Sequence, residues 1–365
     1  MSKRSRLRKD PRDFTAGGIT GLPRSHGSTG NKEIDEKIEA LVEEWGCGLS
    51  KPLIQEMITT ALIMGRDEMA DSDLKLYNRA LKEMRASSKV FGPFAAERKI
   101  SIFGSARTKP EEPEFKAAVE FAKKMREAGF MAITGAGDGI MGAAQAGAGR
   151  DYSFGLNINL PFEQGANITI DGDHKLVNYN YFFTRKLAFV KESDAVSAFP
   201  GGFGTMDEIF ETLTLMQTDK ALVFPVTLID APGGTYWKTW LQFVKDHLLR
   251  LGLISEEDLD LFLVTDDLDE AVEEITHFYS NFHSYRYVKD KMVIRLLKPV
   301  SQTLQDVLNH EFSDLLKKGK FACCEPLPEE ENEPHLAELS RLSFTIKRGK
   351  AGRLRQLINR LNSGL

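Results

Sequence analysis

The sequence is short of cysteine, of excess charge and of long apolar runs, and each shortage excludes something. Cysteine occurs three times in 365 residues, at Cys47 and at the adjacent Cys323 and Cys324. That odd number, without metal-ligand spacing, argues against a disulfide framework or a thiolate metal site, and no metal is implied. Lys plus Arg (48) nearly balance Asp plus Glu (53), for a net charge of -5, so no overall basic field exists to hold a nucleic-acid backbone. The most apolar run, Ala221 to Ile229, is broken by Pro225 and is far shorter than the ~20 residues that span a bilayer. Neither nucleic acid nor a membrane is an expected partner. Lys3, Arg4, Arg6, Arg8, Lys9 and Arg12 precede no apolar stretch, and Asp10 and Asp13 interrupt them. No secretory signal is therefore expected, and the predicted location is cytoplasmic.

What is present is ordinary globular composition, 42% hydrophobic and 28% charged, on a chain long enough for two or three compact units. Residues 1–30 are rich in Arg, Gly and Ser and are expected to form a disordered basic arm. From 31 to 95 the pattern is helical. Ile34, Ile38, Leu41, Val42 and Trp45 share one face; Ile54, Met57, Ile58 and Leu62 another; Leu74, Tyr77, Leu81 and Met84 a third, which predicts three helices. Gly46, Gly48 and Gly65 stand where two of them should stop, and Pro52 suits the first turn of the second.

From 96 to about 285 the period changes. Short apolar runs at Ile100 to Phe103, Phe130 to Ile133, Phe154 to Ile158, Ala195 to Phe199 and Val226 to Ile229 alternate with helical stretches. This is the pattern of βαβ units, and it predicts a doubly wound α/β core with a parallel sheet. A further strand at Leu261 to Val264 and a helix from Leu268 to Phe282 are expected to extend it. Residues 286–365 are expected to form a small α+β appendage. It would hold strands at Met292 to Leu296 and Leu342 to Ile346, and helices at Leu304 to Leu316 and Gly352 to Leu361. Solvated faces or an internal pairing would explain both its acidic run, Glu329 to Glu331, and its basic cluster, Lys347, Arg348, Lys350, Arg353 and Arg355; an anionic effector site is the sharper alternative.

Two glycine loops carry the chemistry. Gly137, Gly139 and Gly142 spell GxGxxG between a predicted strand and helix. Asp138, however, would repel a pyrophosphate, and the next strand offers Asn157 and Asn159 in place of a ribose-binding acid. These glycines are read as a tight turn approaching a smaller ligand, which argues against hydride transfer. The second loop, Pro200-Gly201-Gly202-Phe203-Gly204-Thr205-Met206-Asp207-Glu208, follows a predicted strand and opens a helix. There, backbone N–H groups of Gly201, Gly202 and Gly204 and the Thr205 hydroxyl can converge on a phosphate. It is not a P-loop, since no GK[ST] ends it. Thr205 and Glu208 also fit a capping box, the plain alternative to a functional carboxylate at Glu208.

This second loop resembles the PGGxGTxxE signature of the Lonely Guy (LOG) family, often mislabelled as lysine decarboxylases. Thr184-Arg185-Lys186 resembles the family's x-R-K element. Ile102 to Ala106, with Gly104 and Ser105, and Gly135 to Gly142, with Gly135, Gly137 and Gly139, resemble its two other ligand-facing loops. The likeness covers roughly residues 98–285. It implies a Rossmann-like fold, no cofactor, a homodimer or higher homo-oligomer, and hydrolysis of the N-glycosidic bond of a nucleoside 5'-monophosphate to free base and ribose 5-phosphate. By position Arg185 and Glu208 match the catalytic pair, and Gly201, Gly202, Gly204 and Thr205 the phosphate turn. Phe182-Phe183 stand where cytokinin-activating enzymes usually carry Met-His, which favours a general purine or pyrimidine monophosphate.

The chemistry agrees with the residue types. Glu208 would stabilise the oxocarbenium-like charge of a breaking ribosyl C–N bond. Arg185, whose guanidinium stays charged and cannot readily act as an acid, would orient Glu208 and neutralise anionic charge. Plainer readings pair Arg185 with Glu192 or Asp194 on a helix surface and leave Lys186 solvated. Asp138 and Lys186 are further candidates, with a loop cap as the alternative for Asp138. The rival function is a nucleotide- or nucleotide-cofactor-binding protein of the same fold that cleaves nothing.

Overall fold

The computed structural model describes residues 27–160, 165–331 and 333–364. The N-terminal arm expected over 1–30 lies outside the described residues as far as position 26. The chain divides into two compact units at Arg85/Ala86.

The first unit is helical. Helices α1 (Lys32–Trp45), α2 (Lys51–Arg66) and the start of α3 (Asp71–Phe91) follow the three apolar faces read from the sequence. The Asn31 side chain caps α1 by accepting from the Glu33 and Ile34 amides, and Gly46 ends it in the left-handed region at φ 78. There a Cβ would be strained, which is why glycine serves as the stop. Pro52 sits in the first turn of α2, whose end falls one residue past Gly65.

The second unit alternates strand and helix: β1 (Arg98–Phe103), α4 (Pro113–Glu127), β2 (Phe130–Thr134), α5 (Ile140–Ala148), β3 (Ser153–Ile158), β4 (Leu176–Tyr179), α6 (Phe182–Glu192), β5 (Ala195–Ala198), α7 (Phe203–Gln217), β6 (Val226–Ile229), α8 (Tyr236–Phe243), β7 (Leu263–Thr265) and α9 (Leu268–Phe278). The seven strands form one sheet in the order β4-β3-β2-β1-β5-β6-β7, and every described pairing in it is parallel. Ile100 in β1 sits in register between Ala132 and Ala195. One face packs Phe103, Ile133, Phe154 and Leu156 with Phe189 and Ile209; the other packs Ile100 and Ile102 with Phe121, Ala143 and Ile275. Burial of both faces is why β1, β2, β5 and β6 read as continuous apolar runs instead of alternating ones. The chain winds outward from β1 to β4, then returns to the other side of β1 for β5 to β7. The carboxyl ends of β1 and β5 therefore flank a topological switch point, where such sheets open a crevice.

The remainder is a second sheet with its own helices: β8 (Phe282–Val288), β9 (Lys291–Leu296), α10 (Gln302–Glu311), β10 (Leu316–Cys323), β11 (Ser340–Ile346) and α11 (Ala351–Ser363). The strands run antiparallel in the order β10-β11-β9-β8. Two expected helices are shorter than the sequence suggested. The one begun at Leu268 ends at Phe278, and Phe282 opens β8; the other ends at Glu311, and Leu316 opens β10. In both cases apolar residues continue past the helix, and periodicity cannot separate a last helical turn from a first strand residue. The acidic run is exposed at Glu329 and Glu331 and paired internally at Glu330. Glu330 is buried, its Oε1 accepting from Arg295 Nε at 2.8 Å and its Oε2 from Arg341 Nε at 3.1 Å. The basic helix is likewise only partly solvated: Arg355 is buried and paired with Glu274, and Arg353 pairs with Asp314. Among the described residues no helix is long and apolar enough to cross a membrane.

Candidate active site

Three loops at the carboxyl ends of β1, β2 and β5 meet at the switch point. The first two interlock through glycine. A Cβ on Gly104 would lie 2.6 Å from the Ile140 side chain, and one on Gly139 would lie 2.3 Å from the Ser105 carbonyl. That closeness lets the Ile140 amide donate to the Ser105 carbonyl at 3.0 Å. Gly137 packs likewise on Met141, whose Cε would be 2.8 Å from an added Cβ. The GxGxxG string is thus a packing device between two loops. Ala136 beside it has a positive φ of 65. It is held by Asn167, whose Nδ2 donates to the Ala136 and Gly137 carbonyls at 3.0 and 2.9 Å. Asn167 was not legible as a site residue, because it lies thirty positions downstream in no motif. Asp138 is exposed, while Gly135 faces Arg185: an added Cβ would lie 3.8 Å from its Nη1.

The third loop opens α7. Gly202 is its N-cap, with φ -87 and no side-chain cap bond, so Thr205 is the third helical residue and Glu208 lies a turn further on. The capping box read from Thr205 and Glu208 is not formed, which removes the plain explanation of Glu208. Amides at the start of such a helix have no intrahelical acceptor. Two carbonyls of the turn are engaged elsewhere: Pro200 accepts from the Ser105 amide at 3.1 Å, and Gly201 from the Tyr236 hydroxyl at 2.5 Å. Gly201 is tightly enclosed, since a Cβ there would lie 2.1 Å from Thr205 Oγ1. A Cβ on Gly202 or Gly204 would meet nothing within 4 Å.

The charged residues converge on α6 and α7. Glu208 is 6% exposed, and burial is the main force on its carboxyl. It pushes the pKa from an ordinary 4.5 to about 7, against Lys186 and Arg185, which favour the carboxylate, and with Glu211 and Asp207, which oppose it. Lys186 is not solvated. Its Nζ lies 2.6 Å from Glu211, 2.9 Å from Asp207 and 3.7 Å from Glu208. Burial works against that ammonium, but the bonds it donates to Glu211 and Asp207 prevail and raise its pKa. The Arg185 guanidinium carbon lies 5.1 Å from the Phe182 ring centroid and 5.8 Å from that of Phe189, contacts that hold its plane by packing. Lys191 pairs with Glu192, and the Lys99 amide with Asp194.

A parallel sheet wound both ways from β1, with glycine loops and a buried carboxylate at its switch point, defines a Rossmann-like α/β protein. Residues 141–275 match the family model described as possible lysine decarboxylase. Over that stretch the chain is similar to proteins of the Lonely Guy (LOG) group. It is 30% identical over 164 residues to a probable cytokinin riboside 5'-monophosphate phosphoribohydrolase of Oryza sativa subsp. japonica, covering 43% of this chain and 63% of that one. It is 32% identical over 97 residues to a cytokinin riboside 5'-monophosphate phosphoribohydrolase of Arabidopsis thaliana, covering 26% and 42%. The alignments thus span less than two thirds of these two relatives. Among solved structures, the molybdenum cofactor binding protein of Rippkaea orientalis matches with a TM-score of 0.36 and 19% identity, covering 48% of this chain and 94% of that one. The molybdenum cofactor carrier protein of Chlamydomonas reinhardtii matches with a TM-score of 0.35 and 18% identity, over the same shares.

Proposed function

We propose that this protein hydrolyses the N-glycosidic bond of nucleoside 5'-monophosphates, releasing the free base and ribose 5-phosphate. The observation that carries the reading is the burial of Glu208 beside Arg185 and Lys186, one turn into the helix that the glycine turn opens. A phosphate alone gains nothing from a carboxylate so close, whereas a ribosyl cation does. The amides at the start of α7 and the Thr205 hydroxyl receive the 5'-phosphate. As the C1'–N bond lengthens, its electron pair leaves with the base and positive charge grows on the sugar. The Glu208 carboxylate stabilises that charge and orients the water whose oxygen bonds to C1'. Arg185 steadies Glu208 and offsets the anionic charge. The departing nitrogen takes up a proton, and no residue is assigned to supply it.

The relatives' phosphoribohydrolase names support this class of reaction. Phe182-Phe183, in place of the Met-His of cytokinin enzymes, favours ordinary purine or pyrimidine monophosphates over cytokinin nucleotides. The test is a panel of nucleoside 5'-monophosphates and the matching nucleosides, with free base and ribose 5-phosphate followed beside Glu208→Gln and Arg185→Ala. Base release from monophosphates only, abolished in both variants, is expected. Tight binding without release would establish a nucleotide-binding protein instead.

A further inference from the structure

The Gly201–Gly202 peptide joins two glycines in the anion turn, so local conformational preference does not set its orientation. A peptide unit is planar, and its C=O and N–H point in opposite directions. Whatever holds the Gly201 carbonyl therefore also aims the Gly202 amide. Rotating this unit changes ψ of residue 201 and φ of residue 202, and both are glycine, for which the alternative conformations cost little. Without an anchor the amide at the mouth of α7 would turn away and a carbonyl oxygen, repulsive to phosphate, would replace it.

Such an anchor exists. Tyr236 opens α8, and its hydroxyl donates to the Gly201 carbonyl at 2.5 Å across 35 residues. Tyr236 is itself fixed. Asp230, 1% exposed at the end of β6, accepts from the Trp237 amide at 3.0 Å and so ties down the start of α8. The Trp237 ring packs edge-on against Tyr236 with centroids 4.9 Å apart. The preceding carbonyl, Pro200, is engaged by the Ser105 amide in the same way. Two consecutive carbonyls are thus committed to protein donors, and the Gly201 and Gly202 amides each point away from the donor that holds its own peptide.

We infer that Tyr236 is a positioning residue for phosphate: its hydroxyl latches the Gly201–Gly202 peptide with the Gly202 amide facing the anion. This deepens the proposed function and rests on it. Tyr236 touches no reacting atom, so its effect belongs in phosphate affinity and not in the chemical step.

The experiment compares Tyr236→Phe, which keeps the ring against Trp237, with the wild-type chain. Calorimetry with ribose 5-phosphate and inorganic phosphate is expected to show about tenfold weaker binding, equivalent to about 1.4 kcal/mol. KM for a nucleoside 5'-monophosphate should rise by a similar factor while kcat stays within about twofold. In protein labelled with 15N-glycine, the Gly202 amide resonance should differ between the unliganded proteins. Phosphate should shift it fully only in the wild type. Wild-type affinity in Tyr236→Phe with an unmoved Gly202 resonance would overturn the latch. So would a parallel fall in kcat, phosphate affinity and thermal stability, which would mark a merely structural tyrosine. If the wild-type chain binds no phosphate compound, the proposed function fails, and the Gly202 resonance of the unliganded proteins still decides whether Tyr236 sets the peptide.

Discussion

The Lys186 ammonium lies 3.7 Å from the Glu208 carboxylate but closer to two others, Glu211 at 2.6 Å and Asp207 at 2.9 Å. One cation therefore serves three acids on a single helix, and the most buried of them receives the weakest share. This is why Glu208 keeps a high pKa although two cations stand beside it: burial outweighs them.

Activity should follow the ionisation of that carboxylate. With Glu208 titrating at about 7 and acting as the anion, kcat/KM should fall about tenfold per pH unit below that value and level off above it. The groups facing it are Arg185 and Lys186 from α6 and Asp207 and Glu211 from α7. Lys186→Met removes an opposing cation and should move the acid limb to higher pH, whereas Lys186→Arg should leave it nearly in place. A limb unmoved by Lys186→Met would show that another group controls the profile.

Stability should move the other way. The Glu208 pKa is raised in the folded chain, so its protonated form favours folding at low pH. That contribution fades as pH rises from the unfolded value near 4.5 to about 7. At about 1.4 kcal/mol per unit, ionised Glu208 costs the fold on the order of 3 kcal/mol above pH 7. Urea unfolding at pH 5 and pH 8 should show Glu208→Gln losing activity while gaining stability selectively at pH 8. Equal gains at both values would contradict the linkage.

Two glycines of the turn should respond differently to alanine. At Gly201 an added Cβ would lie 2.1 Å from Thr205 Oγ1, so Gly201→Ala should displace Thr205, destabilise by about 1–3 kcal/mol and weaken phosphate binding. At Gly204 the Cβ would enter open space, and alanine is the better helix former by about 1 kcal/mol. Gly204→Ala should therefore fold at least as stably yet bind ribose 5-phosphate less well, as thermal melts and calorimetry would show. Unimpaired binding by Gly204→Ala would mean the ligand does not approach the backbone there.

In the C-terminal sheet, Glu330 is the common partner of two buried guanidinium groups, Arg295 and Arg341. Glu330→Ala would leave both without that carboxylate and should cost about 3–5 kcal/mol in a denaturant titration. Glu330→Gln, keeping shape and one acceptor, should cost less. A change below about 1 kcal/mol for the alanine variant would show that the guanidiniums re-pair or reach water.

The strands β1, β2, β3, β5 and β6 were legible because burial on both faces writes them as apolar runs. The strand β4 was not: it is four residues at the sheet edge, with Asn178 exposed. Nor were β8 and β10, whose mixed burial leaves no clean alternation to read. The glycine turn could be picked out because its string stands between a strand and a helix, whereas Arg185 and Glu208 were singled out as a pair by the resemblance of their strings to those of the LOG family.

What the sequence determined by itself was local: alternating strands and helices, glycine at the turns, and a carboxylate one helical turn beyond them. What only the tertiary structure decided was how distant segments constrain one another. Whether Glu208 is a cap or a buried acid depends on where α7 begins and what covers it. Whether Lys186 is solvated depends on α7 lying against α6. Whether the turn presents amides or carbonyls depends on a tyrosine 35 residues away. Local propensity follows from a residue and its near neighbours, whereas burial and hydrogen-bond partners follow from the order in which the strands assemble.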